Sequence, residues 1–198
     1  PGLRELCLTT NGSQLTALAT PLRDAGVDRL NISLDTLQAE RFREITRRGD
    51  LEDAFAGIRA AEDAGFQNLK LDTVLMGGVN DDEIEDFLNL TKEHPWEVRF
   101  IELMPIGQGR NRDGISEEKI LGLLEQKYGV LCPYDGNMGN GPAHYYELPG
   151  FRGKIGFISA ISHKFCGECN RVRLTSDGGF KTCLQYGETL DLRSLLRS

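Results

Sequence analysis

The first two thirds of the chain repeats one alternation, a short strand-like run followed by an amphipathic helical pattern, and few folds accept that repeat. Strand patterns fall at residues 4–10, 29–35, 68–75 and 97–103, with helical patterns at 16–25, 51–64 and 81–93 and a shorter one at 38–45. Strands alternating with helices predict βαβ units and a parallel sheet. The stops agree, because Gly26 and Gly65 each stand just past the last periodic residue of a helix. Asn80-Asp81-Asp82-Glu83 caps and charges the start of the helix that follows it. Pro21, inside the first helix, is expected to kink or restart it.

The strands are two-faced. Leu30, Ile32 and Leu34 lie on one side of the second strand and Asn31, Ser33 and Asp35 on the other; Lys70 and Asp72 likewise oppose Leu69, Leu71 and Leu75. Parallel strands buried on both faces read as continuous apolar runs. The polar side therefore predicts a curved sheet with its helices outside, its concave face meeting a ligand. The strand at 97–103 breaks the pattern, since Arg99 and Glu102 fall on opposite faces. A lone charge on a covered strand needs an anion nearby. For Lys70 and Arg99 that anion is either Asp72 or Glu102, or a ligand.

After Pro105 the texture changes. A glycine-rich charged stretch, 106–114, precedes a helix at 116–128 capped by Ser116, and a Gly/Pro/Asn-rich loop spans 133–142. Short strands with turns follow at 143–148, 154–159, 171–175 and 180–184, with Asp177-Gly178-Gly179 as a hairpin turn and a helical pattern at 189–197. The division expected is 1–105 for the βα region and 106–198 for a C-terminal region. A net charge of -7 argues against a nucleic-acid or acidic-membrane binder. No apolar run approaches the roughly 20 residues of a bilayer span, and the chain opens on a strand pattern rather than a signal peptide. Five cysteines, an odd number, are too few for a disulfide framework and point to a reducing, cytoplasmic setting.

Those cysteines carry the sharpest chemistry. Cys166-Gly-Glu-Cys169 sets two thiolates close enough for one metal centre, and the hairpin would return Cys183 towards them. Two centres fit: zinc with His163 or Cys132 as fourth ligand, or a 4Fe-4S cluster on three cysteines with one iron open to a substrate. Arg171 and Arg173, two apart, share a face if they lie on a strand. They make a clamp for an anion, phosphate especially, or else they compensate the charge of a cluster. Leu8-Thr9-Thr10-Asn11-Gly12, Ser33 and Met104 fall at strand ends, where barrel-like folds build their sites. With Lys70 they read as one ring of strand-end residues.

Six segments, in order, resemble one family. They are Leu8-Thr-Thr-Asn-Gly12, Asn31-Ile-Ser-Leu-Asp35, Lys70-Leu-Asp-Thr-Val74, Gly78-Val-Asn80, Arg99-Phe-Ile-Glu-Leu-Met-Pro105 and Phe165-Cys-Gly-Glu-Cys-Asn-Arg-Val-Arg173. The chain is similar throughout to the GTP 3',8-cyclases of molybdenum cofactor biosynthesis, which are radical S-adenosylmethionine (SAM) enzymes. The resemblance implies an α/β fold, an incomplete (βα) barrel with a C-terminal cluster-binding hairpin region. It also implies two 4Fe-4S clusters at opposite ends of a channel. The first cleaves SAM reductively, and the 5'-deoxyadenosyl radical takes a hydrogen from C3' of GTP, whose carbon radical closes onto C8. By resemblance Cys166, Cys169 and Cys183 hold the second, auxiliary cluster. Arg171, Arg173, Lys70 and Arg99 surround GTP, mostly its triphosphate. Ser33 and Met104 match SAM-binding positions, and Thr9 matches a ligand-contacting position between the two.

Two family features are missing. The Cys-x-x-x-Cys-x-x-Cys loop of the first cluster and the Gly-Gly-Glu-Pro stretch after it would precede Pro1, and a tail ending in two glycines would follow the last residue. The resemblance therefore implies a fragment, with no cyclase turnover expected from it alone. It also implies a homodimer and a downstream partner, the cyclic pyranopterin monophosphate synthase that acts on the product. Two other functions fit the residues: a non-catalytic zinc- or cluster-binding module, and a radical SAM enzyme that modifies a peptide. The arginine pair favours a nucleotide over a peptide.

Overall fold

The computed structural model describes residues 2–136, 138–185 and 189–197. Three βα units and a fourth strand come first: β1 (Cys7–Thr10), α1 (Leu15–Asp24), β2 (Arg29–Ser33), α2 (Ala39–Thr46), α3 (Leu51–Asp63), β3 (Lys70–Leu75), α4 (Ile84–Glu93) and β4 (Glu97–Glu102). Next come α5 (Glu117–Tyr128), β5 (Cys132–Pro133), β6 (His144–Glu147) and β7 (Lys154–Ile158). Sheet order is β1-β2-β3-β4-β7-β6-β5, parallel from β1 through β7 and antiparallel at β6 and β5. This is the parallel α/β sheet that the alternation implied, in the incomplete barrel that the resemblance implied. A small antiparallel sheet, β8 (Arg173–Leu174), β9 (Gly179–Lys181) and β10 (Leu190–Asp191), ends in α6 (Leu192–Arg197). The strands that follow residue 105 thus join the main sheet before the chain leaves it.

The apolar strand faces found their helices. Leu30, Ile32, Leu34, Leu71, Leu75, Val98, Phe100, Ile155 and Phe157 are buried in one core with Ile58 of α3 and Phe87 and Leu88 of α4. Phe100 meets Phe87 edge-on with ring centroids 6.2 Å apart. A Cβ on Gly57 of α3 would lie 2.1 Å from the Gly12 carbonyl, so a glycine there lets the helix lie against the turn after β1. Among the described residues no helix is long and apolar enough to cross a membrane.

Three expectations change. α1 runs unbroken through Pro21. A proline forfeits one helical bond, and the burial of Leu15 and Ala19 where α1 packs on α3 outweighs it. The helix expected over 81–93 opens as a single 3₁₀ turn, Asp81–Glu83, before α4. The buried Glu83 carboxylate there accepts from Thr36 Oγ1 and the Leu37 amide, both at 2.6 Å, and pairs with Arg41. The last helical pattern starts only at Leu192, because the residues before it pair with β9.

Candidate functional site

Parallel pairing sets the polar residues side by side on the face away from the helices. One level reads Thr9, Asn31, Lys70, Glu97, Lys154, and the next reads Ser33, Asp72, Arg99, Gly156, Tyr145. The expected polar face is therefore real, and β4 obeys it: Glu97 and Arg99 are on it. Glu102 turns to the other face for a separate reason. Its carboxylate accepts from the Ile161 and Ser162 amides at 2.7 and 2.8 Å, holding the chain where it leaves β7.

The buried cations found their anions among these neighbours. Arg99 is bidentate on Asp72, at 2.6 and 2.7 Å, as one expectation had it. Lys70 pairs with Glu97 at 2.6 Å, not with Asp72 or Glu102. The Lys70 ammonium also donates to the Tyr145 hydroxyl at 2.9 Å and to the Met138 carbonyl at 2.6 Å. Burial pushes the Lys70 pKa down and the Glu97 pKa up, each opposed by the pairing. Burial also holds the Tyr145 phenol well above its usual value. Burial pulls Arg99 the same way as Lys70, but the Asp72 bonds more than offset it and its pKa rises.

Lys70, Arg99 and Arg171 line one cavity of about 350 Å³, together with Arg29, Asn31 and Tyr145. Arg171 is exposed and donates to the Asn140 carbonyl at 3.2 Å. It precedes β8 rather than lying in it, so strand alternation does not align it with Arg173. Arg173 is exposed, opposite Lys181, and is not among that cavity's lining residues. The ring of strand-end residues spreads out along the strands. Lys70 opens β3, Ser33 lies only two residues further on, level with Asp72 and Arg99, and Met104 lies two residues past β4. Some seven residues from the level of Lys70 to that of Met104 span roughly 23 Å along the strands. Thr9 is exposed, level with Lys70, and accepts from Asn31 Nδ2 at 3.4 Å.

One buried group, Asn80, and one half-buried group, Asp35, fix the far end. Asn80 receives the Met76 amide at 2.8 Å and donates to the carbonyls of Asp35 and Val74 at 2.6 and 2.9 Å, tying the ends of β2 and β3 together. Asp35 accepts from the Val74 amide at 2.9 Å. Burial raises its pKa, the Val74 bond opposes this, and the charge of Asp72 adds to the rise. A carboxyl whose pKa rises on folding contributes stability that is complete below its ordinary value of 3.8 and is lost as pH climbs through the folded value. Asp35→Asn should thus raise the denaturation midpoint at pH 7 and leave it unchanged at pH 3. Equal midpoints at both pH values would remove Asp35 as the cause.

Cys166 and Cys169 sit at the ends of one 3₁₀ turn, with the Cys169 amide 3.4 Å from the Cys166 carbonyl; both are exposed. Cys183 follows β9, returned by the hairpin and half-buried. Among the described residues no three His, Cys, Asp or Glu stand close enough together to hold a metal ion. The donor set suits a thiolate-bound centre: three sulfurs carried on one small lobe. Of the alternative fourth ligands, His163 is paired with Glu118 at 2.5 Å and Cys132 lies in β5.

Fold and site together define an α/β partial barrel of the radical SAM type with a cationic cavity on its polar face. The model of the Radical SAM superfamily matches residues 1–91, and that of Molybdenum Cofactor Synthesis C matches 96–198. The chain belongs to the Molybdenum Cofactor Synthesis C family. It is 48% identical over 199 residues to the GTP 3',8-cyclase of Heliobacterium modesticaldum, covering 99% of this chain and 61% of that one. To the GTP 3',8-cyclase of Moorella thermoacetica it is 47% identical over 200 residues, covering 100% and 62%. The chain thus spans about three fifths of the length of the curated relatives it matches. A radical SAM methyltransferase from Sphaerobacter thermophilus superposes on 61% of this chain and 36% of its own, with TM-score 0.47 and 21% identity.

Proposed function

We propose that this chain is the substrate-side part of a GTP 3',8-cyclase, which converts GTP to (8S)-3',8-cyclo-7,8-dihydroguanosine 5'-triphosphate in molybdenum cofactor biosynthesis. What carries the reading is the convergence of Lys70, Arg99 and Arg171 on one cavity, in a chain that curated GTP 3',8-cyclases match from end to end. A nucleoside triphosphate brings about four negative charges. Lys70 and Arg99 meet them as fixed donors, already oriented by Glu97 and Asp72, so little reorganisation accompanies binding. Arg171, exposed and held by a single carbonyl, is the donor free to close on the phosphates. Arg173 would add charge from the same lobe.

Cys166, Cys169 and Cys183 would hold a 4Fe-4S cluster, which supplies an open iron for the purine. Further along the strands than Lys70, Ser33 and Met104 would receive SAM, and Thr9, level with Lys70, would contact a ligand. The complete enzyme would carry a second 4Fe-4S cluster beside SAM.

Metal analysis and absorbance spectra of chain purified without oxygen test this. The expected result is iron with labile sulfide, lost when Cys166, Cys169 or Cys183 becomes alanine, and GTP binding abolished by Arg171→Ala. Stoichiometric zinc without iron would overturn the cluster assignment and favour a zinc-binding module.

A further inference from the structure

Arg29 opens β2 and lines the same cavity as Lys70, Arg99 and Arg171. Its guanidinium is unevenly used. One Nη donates to the Met138 carbonyl at 3.3 Å, the other reaches Glu5 at 3.0 Å and the Cys7 sulfur at 3.2 Å, and the buried Nε has no partner. The same Met138 carbonyl accepts from Lys70 at 2.6 Å, so one neutral oxygen stands between two cations. The next residue is pressed onto the guanidinium: a Cβ on Gly139 would lie 2.2 Å from Arg29 Nη1.

The partners differ in how readily they let go. Asp72 and Glu97, which hold Arg99 and Lys70, are 14% and 6% exposed, and opening either pair would strand a buried charge. Glu5 is 37% exposed, and water can take over its carboxylate at little cost. A neutral carbonyl is likewise a weaker acceptor than an anionic oxygen for the same donors. Of the paired cations, Arg29 is the one most easily transferred to a ligand.

We propose that Arg29 is a further phosphate-binding cation of this cavity, sharing with Lys70 one anionic oxygen of a nucleoside triphosphate in the place where the Met138 carbonyl now lies. The proposal rests on the reading of the cavity as a GTP site. It requires the Met138–Gly141 segment to yield as the triphosphate enters, because its carbonyls at Met138 and Asn140 are acceptors for Arg29, Lys70 and Arg171 in the free chain.

Calorimetric titration of the 198-residue chain with GTP and with guanosine tests it on two variants. Arg29→Gln should weaken GTP binding roughly tenfold or more, the loss of a charged hydrogen bond, and leave guanosine binding unchanged. Glu5→Gln removes the competing carboxylate and should tighten GTP binding. If Arg29 only tethers β1 to β2, both variants weaken binding alike, with a lower thermal midpoint, and the proposal fails. It also fails if Arg29→Gln binds GTP as the parent does while Arg171→Ala does not, an outcome that leaves the GTP site standing. A parent chain that binds GTP no more tightly than guanosine would overturn the phosphate site itself, and this assignment with it.

Discussion

Replacing Glu97 with alanine should lower the free energy of unfolding by about 3–5 kcal/mol, the cost of stranding a buried charge. Its partner Lys70 is only 2% exposed in its side chain and would keep just the Tyr145 hydroxyl and the Met138 carbonyl. Neither of these carries a charge to replace the lost carboxylate. Urea titration monitored by circular dichroism gives the number. The double variant Lys70→Met with Glu97→Leu should recover most of it, since the pair gains little over a packed apolar pair once both ions are desolvated. A loss below about 1 kcal/mol, the range of an exposed pair, would mean that the lysine is already neutral in the fold. The downward push of burial on its pKa acts in that direction.

Asn80→Ala should cost about 3 kcal/mol or more, because each buried polar group left unpaired costs roughly 1–3 kcal/mol. The change leaves the Met76 amide and the carbonyls of Asp35 and Val74 without the partner they share. The damage should be local as well as global. Hydrogen exchange at the Met76 amide should quicken by more than the fall in overall stability explains, since that amide donates to the Asn80 side chain itself. Uniform acceleration across the sheet would instead make Asn80 an ordinary core residue.

The two-faced strands made the architecture readable, because alternation with period two reports which side a helix covers. The same rule held the clue to the partner of Lys70. Counting back two from Arg99 places Glu97 on the polar face, and parallel register then sets it beside Lys70. Attention to Asp72 and Glu102 obscured that. Glu102 is invisible to such counting, since its task is to hold backbone amides at Ile161 and Ser162, far along the chain. Arg29 escaped because a basic residue at the start of a strand resembles a solvated end. Only the return of Met138 and Gly139 over it, more than a hundred residues later, makes it part of a cavity. The arginine pair was legible as chemistry but not as geometry, because β8 is too short to include Arg171.

The two rims of the seven-stranded sheet are chemically unlike. At one, β5 ends in Pro133, which has no amide hydrogen to offer and so terminates the lattice of backbone bonds. At the other, β1 presents Cys7–Thr10, four residues without a proline, as an unfinished template. Extension of the sheet is therefore one-directional: a further strand, whichever polypeptide supplies it, has a complete set of donors and acceptors only alongside β1.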